Sequence, residues 1–494
     1  GGTSRCSQSS SMSTAVRSSW GARSAMTLFL ASGAVLCVDG LTLLELKTSV
    51  EMTRASSVSA AATQRTCASR AIRCRPPSMV AVQAGTGAMP AEEPLEGPTF
   101  HKSISAPDPI PEAGRRRAME LMETGALFRY SPGFLSETAL AEADIVDYTG
   151  FKYAVGFNSC GSALFIGLKV VGVQPGDKVL ANAFSFTAVP SAIHHAGGQP
   201  VYVEATDGYV MCTHDLRAKI EAEKASGTPV KFLMLTHMRG KVAEMEEIHS
   251  IAKEEGIVVV EDCAHALGIQ WDGVQLGRQA AVACYSTQSA KVINSGEGGF
   301  FCTDDEEMAA KAYCYAGCYE RLYSQHVVSP PDAVFDKVKL AIPNYSLRMN
   351  DLAAACIRPQ IATMEARVAR YNAMYARIVS QLEDVPEFEI PPYNARVRPV
   401  QDSLQINLHM TEPQVDAFLS ASKRRGIPVG LFGSMDNARN FRCWQYAPSK
   451  TELPRTERLI KMAIDCRLPA VFEPEDYDQM AKVLRAARDD VMQA

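Results

Sequence analysis

Lys291 is the only charged residue between Arg278 and Glu297, and it lies in Cys284-Tyr-Ser-Thr-Gln-Ser-Ala-Lys291-Val-Ile-Asn-Ser-Gly-Glu-Gly-Gly299 with short apolar runs on both sides. Such a setting predicts a partly desolvated amine. Desolvation lowers an ammonium's pKa and frees the neutral form, which attacks carbonyls and holds an aldehyde cofactor as a Schiff base. The Gly296-Glu-Gly-Gly299 turn behind it can bring backbone close to a bound molecule. Taken alone, Lys291 also fits a lysine snorkelling from a strand end, so its company has to decide.

Two other stretches supply that company. Val258-Val-Val-Glu261-Asp262 is an apolar run ending in two carboxylates, and Asp262 is suited to pair with a pyridinium nitrogen; as a cap for the residues after it, Asp262 fits equally well. Ser159-Cys-Gly-Ser162 opens a helix, where free amides and the dipole favour a phosphate, although small residues at a strand-helix turn are by themselves usually just a turn. Phosphate cradle, acid and lysine in that order match a pyridoxal phosphate site far better than any one of them.

The elements that must position them alternate. Helices are expected over Pro111–Thr124 and from a Ser136 cap to Tyr148. Strand-like runs follow at Ala154–Phe157, Lys178–Asn182, Gln199–Ala205, Lys231–Thr236, Gly256–Asp262, Ala281–Ser286 and Phe300–Thr303, mostly separated by helix-length segments. This predicts an α/β fold with a mostly parallel sheet covered by helices on both faces and ligands at the carboxyl ends of the strands.

Five motifs in order carry a family likeness: Gly150-Phe-Lys-Tyr-Ala-Val-Gly-Phe-Asn-Ser-Cys-Gly-Ser-Ala-Leu164, Val173-Gln-Pro-Gly-Asp-Lys-Val179, Glu261-Asp-Cys-Ala-His-Ala-Leu-Gly268, Ser286 through Lys291 to Gly299, and Asn344-Tyr-Ser-Leu-Arg-Met349. From about Pro109 to the C-terminus the chain resembles the DegT/DnrJ/StrS sugar aminotransferases, which are fold-type I pyridoxal phosphate enzymes. The resemblance implies that Lys291 is the catalytic Schiff-base lysine, Asp262 binds the pyridinium nitrogen, His265 lies near the ring's 3-hydroxyl and Phe186 stacks on the ring. It also implies that Ser286 and the Gly161 and Ser162 amides hold the phosphate, with Asn344 reaching it from a second subunit of a homodimer. On pattern alone Phe186 would be core, His265 a loop histidine and Asn344 a turn cap. In the first phosphate turn, where the family usually has Gly-Thr, this chain has Cys160-Gly161, so the threonine contact is missing and its replacement by Ser162 is an open question.

The C-terminal part is expected to be a smaller α+β domain, 356–494, beside a large cofactor-binding domain, 109–355. Ile361, Met364, Val368, Tyr371, Tyr375, Ile378 and Leu382 keep three-four spacing and predict one long amphipathic helix. Leu404, Ile406, Leu408 and Met410 alternate as a half-buried strand, and Glu412–Arg425 and Pro474–Ala487 read as helices. Tyr315 to Ala341 reads as a long loop rich in proline and aromatic residues that a partner would cover. Arg239, in Thr236-His-Met-Arg239-Gly240, reads on balance as a solvated loop arginine, with contact to a phosphate or carboxylate as the alternative.

With 494 residues, 47% apolar composition and a net charge of −5, the chain has no basic face for nucleic acid; its scattered cysteines show neither a zinc-like nor a disulfide pattern, and no metal site is expected. Residues 1–100 differ in composition. Ala25 to Val38 is apolar but short for a stable membrane span, and Met52 to Ala91 contains five arginines and no acid. That combination fits import into a plastid, with a disordered tail or translated leader, and thus a cytoplasmic protein, as the other reading. The expected reaction is transfer of an amino group from glutamate or glutamine to a keto-sugar, nucleotide-sugar or keto-cyclitol. A dehydratase of the same fold ranks below it because Lys291 is retained and no cysteine cluster is present. A non-catalytic cofactor-binding regulator ranks lower still.

Overall fold

The computed structural model describes residues 96–493, so the expected targeting stretch lies outside the described residues. Among the described residues fourteen strands occur: β1 Tyr153–Phe157, β2 Lys178–Asn182, β3 Gln199–Val203, β4 Phe232–Thr236, β5 Val258–Asp262, β6 Gln270–Trp271, β7 Val274–Gln275, β8 Val282–Ser286, β9 Gly299–Thr303, β10 Phe388–Glu389, β11 Val397–Arg398, β12 Ser403–Leu408, β13 Gly430–Leu431 and β14 Ala463–Arg467. Seven form the central sheet in the order β1-β9-β8-β5-β4-β2-β3. Neighbours pair in parallel from β3 through β8, and β9 runs antiparallel to both β8 and β1. This is the mostly parallel α/β sheet that the alternation of strands and helices requires.

Alternation of side chains along each strand feeds two cores. On β8, Val282 and Cys284 join one apolar cluster with the helix Cys160–Val170, while Ala283 and Tyr285 join another on the opposite face with the helices Met245–Glu255 and Asp351–Ile361. Both faces are therefore dry, which explains why β4, β8 and β9 are buried along their whole length. The register decides what meets at the carboxyl ends: Thr236 pairs with Asp262, Asp262 with Cys284, and Gly299 with both Ser286 and Phe157.

A second sheet, β10-β12-β14-β13, packs with the helices Glu412–Arg424 and Pro474–Met492 around a third apolar cluster. Three expectations are corrected here. The three-four run is split between the helices Asp351–Ile361 and Met364–Val379: the chain leaves the helix at Ala362-Thr363, so Ile361 closes the first helix and Leu382 lies beyond the second. Strand β12 is buried throughout rather than half-buried, because Gln405 and Asn407 on its other face bond to Asp465 and to the Asp207 carbonyl instead of water. The Tyr315–Ala341 stretch is not a plain loop. It holds the end of the helix Glu306–Ala316, a 3₁₀ turn at Leu322–Gln325 and the helix Asp332–Val338, pinned by a buried network in which His326 Nδ1 lies 2.8 Å from Glu142 and Glu142 pairs with Arg129. Among the described residues no helix is long and apolar enough to cross a membrane.

Candidate active site

The two carboxylates that end β5 point to opposite faces, as strand geometry demands, and meet opposite fates. Burial alone would raise Glu261, but His237 Nε2 at 2.9 Å and His249 at 3.4 Å hold it down at about 2. It is a structural carboxylate facing away from the cleft. Asp262 keeps one oxygen on the Ala264 N–H at 3.1 Å, and burial raises its pKa. The capping reading of Asp262 holds, and its buried, raised-pKa carboxyl stays at the open end of the strand.

Lys291 stands across from it. The turn that carries it is closed by the Lys291 N–H donating to the Gln288 carbonyl at 2.8 Å, and its Nζ lies 2.7 Å from His265 Nε2. The side chain is half-buried; burial first, then the charge of Arg239, lowers its pKa to about 7. Burial, followed by the charge of Lys291, also keeps His265 far below the usual histidine range and hence neutral. If Nε2 accepts from Lys291, the proton sits on Nδ1, and Nδ1 is buried without a partner.

The phosphate turn is built from the N-terminus of the helix Cys160–Val170. Ser159 Oγ caps it by accepting the Ser162 N–H at 3.1 Å, and Ser162 Oγ donates to Asn158 Oδ1 at 2.7 Å. Ser162 is thus engaged inside the turn, while a Cβ added at Gly161 would meet nothing closer than Ser159 Oγ at 3.8 Å. The Cys160 thiol points into the core, 3.8 Å from the Cys284 carbonyl, so the departure from the family's threonine gives the turn a buried residue instead of a second hydroxyl. A cleft of about 520 Å³ opens beside this turn, lined by Ser159, Gly161, Ser162, Phe165, Tyr345 and Leu347 among others. Ser286 is buried, with its Oγ 3.3 Å from the Gln288 N–H. The larger cleft, about 600 Å³ between Arg117, Glu137, Asp144 and Arg358, lies away from the strand ends.

Gly299 explains how lysine loop and phosphate turn are held together. A Cβ there would fall 2.5 Å from the Cys160 nitrogen and 2.6 Å from its Cα. The close approach at Gly299 is therefore to protein backbone in the phosphate turn, where a bound molecule was expected. The Asn344–Met349 segment also runs past this turn, with the Asn158 N–H donating to the Leu347 carbonyl at 2.9 Å; Asn344 itself is exposed, its Oδ1 accepting from the Ser346 N–H. Phe186 is 39% exposed at the start of the helix Ala188–His195, an unusual exposure for a residue whose neighbours Ser185 and Phe184 are fully buried.

Arg239 is the main departure. It is buried, its φ is +55° and its guanidinium pairs with Asp465, so it is not a solvated loop arginine. Arg439 is a residue that sequence reasoning missed: its guanidinium lies 5.5 Å over the Phe186 ring, brought there by a loop with no periodic signal.

An amine with a lowered pKa, a buried acid, an open helix N-terminus and an orphaned imidazole nitrogen at the ends of adjacent strands suit a phosphorylated aromatic aldehyde, and the sheet is that of fold-type I pyridoxal phosphate transferases. The chain belongs to the DegT/DnrJ/EryC1/StrS aminotransferase family, whose description matches residues 133–485. Members are pyridoxal-phosphate-dependent aminotransferases, and so is this protein. It is 27% identical over 296 residues to the spore coat polysaccharide biosynthesis protein SpsC of Bacillus subtilis, covering 58% of this chain and 71% of that one. It is 28% identical over 329 residues to 3-amino-5-hydroxybenzoate synthase of Amycolatopsis mediterranei, covering 64% and 78%. The crystal structure of the aminotransferase TlmJ from Streptoalloteichus hindustanus superposes with a TM-score of 0.68 at 22% identity, over 80% of this chain and all of that one.

Proposed function

We propose that this aminotransferase moves nitrogen from glutamate or glutamine to a keto-sugar, nucleotide-sugar or keto-cyclitol, with Lys291 as its catalytic residue. The observation that carries the reading is the placement of the Lys291 amine 2.7 Å from a neutral His265 and beside the buried Asp262. Pyridoxal phosphate, when bound, supplies an electron sink for the carbon that gives up or gains nitrogen. The protein's residues do the rest. Lys291, whose pKa of about 7 leaves much of it neutral at that pH, would take the proton from the amino-bearing carbon and return it to the cofactor carbon C4′ on the other side of the nitrogen. Asp262 would hold a proton on the pyridine nitrogen, the unpartnered His265 Nδ1 would serve a ring oxygen, and Phe186 would cover one ring face. Ser286 and the Gly161 N–H would take the phosphate, with the Ser162 N–H joining them on release from Ser159 Oγ. The names of its relatives, a polysaccharide biosynthesis protein and an aminohydroxybenzoate synthase, support an oxygenated ring as acceptor.

The same reading makes the active unit a two-fold dimer, with exposed Asn344 contributing to the neighbouring phosphate site and exposed Phe128, Phe134, Tyr319 and Leu340 as apolar surface for the contact. Plastid import remains the reading that the composition of residues 25–91 supports. The test uses protein loaded with pyridoxal phosphate, nitrogen-15 donors and a panel of keto-sugars. Glutamate or glutamine should discharge the visible absorption, and mass analysis should find its label in one aminated product. If no amino acid changes the spectrum, the proposal fails.

A further inference from the structure

Three buried or half-buried arginines, Arg239, Arg439 and Arg467, act on the electrostatics of Lys291 or His265, and among the described residues only Arg239 of the three forms a salt bridge. Asp465 is fully engaged: one oxygen takes Arg239 and the other accepts from Gln405 Nε2 at 3.1 Å. Asp402, the other acid in reach, receives the Ser403 hydroxyl at 3.2 Å. Among the described residues no carboxylate pairs with Arg439, and its Nε is buried with no hydrogen-bond partner; Arg239 Nε is likewise orphaned. A guanidinium in that state is costly unless something else satisfies it.

The position of Arg439 is built. The Ala438 carbonyl before it accepts both the Thr187 N–H at 3.0 Å and the Trp444 indole N–H at 3.1 Å. The Arg439 N–H donates to Asn437 Oδ1 at 3.0 Å, and the fully buried Asn440 after it donates to the Gly433 and Ser434 carbonyls. The loop is thereby fastened to the residue next to Phe186, and its guanidinium is set over the Phe186 ring at 5.5 Å. Arg239 approaches from another side, held by a left-handed backbone at φ +55° that a non-glycine residue adopts only where its surroundings impose it. Burial, then the neighbouring Arg239 charge, brings Arg439 down to about 10, more than the charges of Asp465 and Asp402 offset.

We propose that Arg439, backed by Arg239, binds an anionic group of the substrate, a carboxylate or a phosphate, placed beside Phe186. This rests on the aminotransferase reading of the same site. The planar fork suits either anion. Two sources are available, the carboxylate of the amino donor and an anionic substituent on the acceptor, and the two half-reactions separate them.

The experiment compares wild type, Arg439→Gln and Arg439→Lys, each loaded with pyridoxal phosphate. Sulfate and acetate are first titrated against the cofactor's visible absorption, a readout that needs no turnover and so stands even if every donor and acceptor in the panel fails. A saturable shift in wild type that needs at least tenfold more anion in Arg439→Gln, with part recovered in Arg439→Lys, supports the subsite. The KM for each half-reaction is then measured. A tenfold or larger rise for the donor alone assigns the group to the donor carboxylate, and a rise for the acceptor alone assigns it to the acceptor. Unchanged anion titration together with unchanged KM values in Arg439→Gln would overturn the proposal.

Discussion

Lys291 and Lys241 are both taken from water, and burial lowers each to about 7, yet they occupy very different surroundings. Lys241 is 2% exposed, its ammonium 3.8 Å over the Tyr393 ring and 2.8 Å from the Pro391 carbonyl that accepts from it. The Tyr393 hydroxyl is buried without a partner, but among the described residues no carboxylate or imidazole bonds to Lys241. Lys291 is only half-buried, at the open end of the sheet, with His265 in contact, Asp262 at the neighbouring strand end, and orphaned donors on His265, Arg239 and Arg439 around it. An activated amine is thus a by-product of burial anywhere in the molecule. What separates a site from a core is the acid, the imidazole and the unpaired guanidinium donors gathered around the amine at an open strand end.

The comparison breaks most visibly if the two lysines are exchanged for apolar residues. Lys291→Ala should lower the first half-reaction by about 10²–10⁴-fold, the range for losing a positioned proton-transfer group, whereas Lys241→Met should leave it within a few fold. Single-turnover kinetics with the preferred donor measure both, and equal losses would show that burial was the relevant property after all. A smaller effect is expected at Gly299→Ala. The new Cβ would collide with Cys160 backbone, which cannot swing aside, so about 1–3 kcal/mol of stability should be lost together with cofactor affinity. Urea denaturation and a cofactor titration test this; lost stability with unchanged affinity would separate lysine loop from phosphate turn. The smallest effect concerns pH. Each lysine binds its proton at about 7 in the folded chain and at about 10.4 unfolded, so between those values the unfolded state carries more protons and stability rises with pH. In cofactor-free protein, the stability of wild type minus that of Lys241→Met should therefore climb from pH 7 to 10; a flat difference would mean that Lys241 is not desolvated.

Strands were legible because each apolar run is short, bounded by turn residues and separated from the next by a helix-length segment; β2 and β5 end where the residue pattern ends. The proposed site residues were locatable because Asp262 and Ser286 end their strands and Lys291 follows β8 in the next turn. Residues placed by tertiary contact were not. Arg239 reads as a loop arginine until β14 arrives with Asp465, and Arg439 lies more than 140 positions from Lys291 in a loop with no period. The break at Ala362-Thr363 was hidden for a different reason: apolar spacing describes which face is buried, and two successive helices with a common buried face keep the same spacing.

The contact of Gly299 with Cys160 works as a ruler. It is main chain against main chain, so the span from the phosphate turn to the lysine loop is set by atoms that every substitution shares. Side-chain changes at Ser162, Phe186 or Arg439 can alter how tightly a molecule is gripped or which charge is welcome, but they leave that span alone. A shorter or longer bound group would call for insertion or deletion in the segment between Ser286 and Gly299. Divergence in what the protein acts on is thereby channelled to the loops around the ruler.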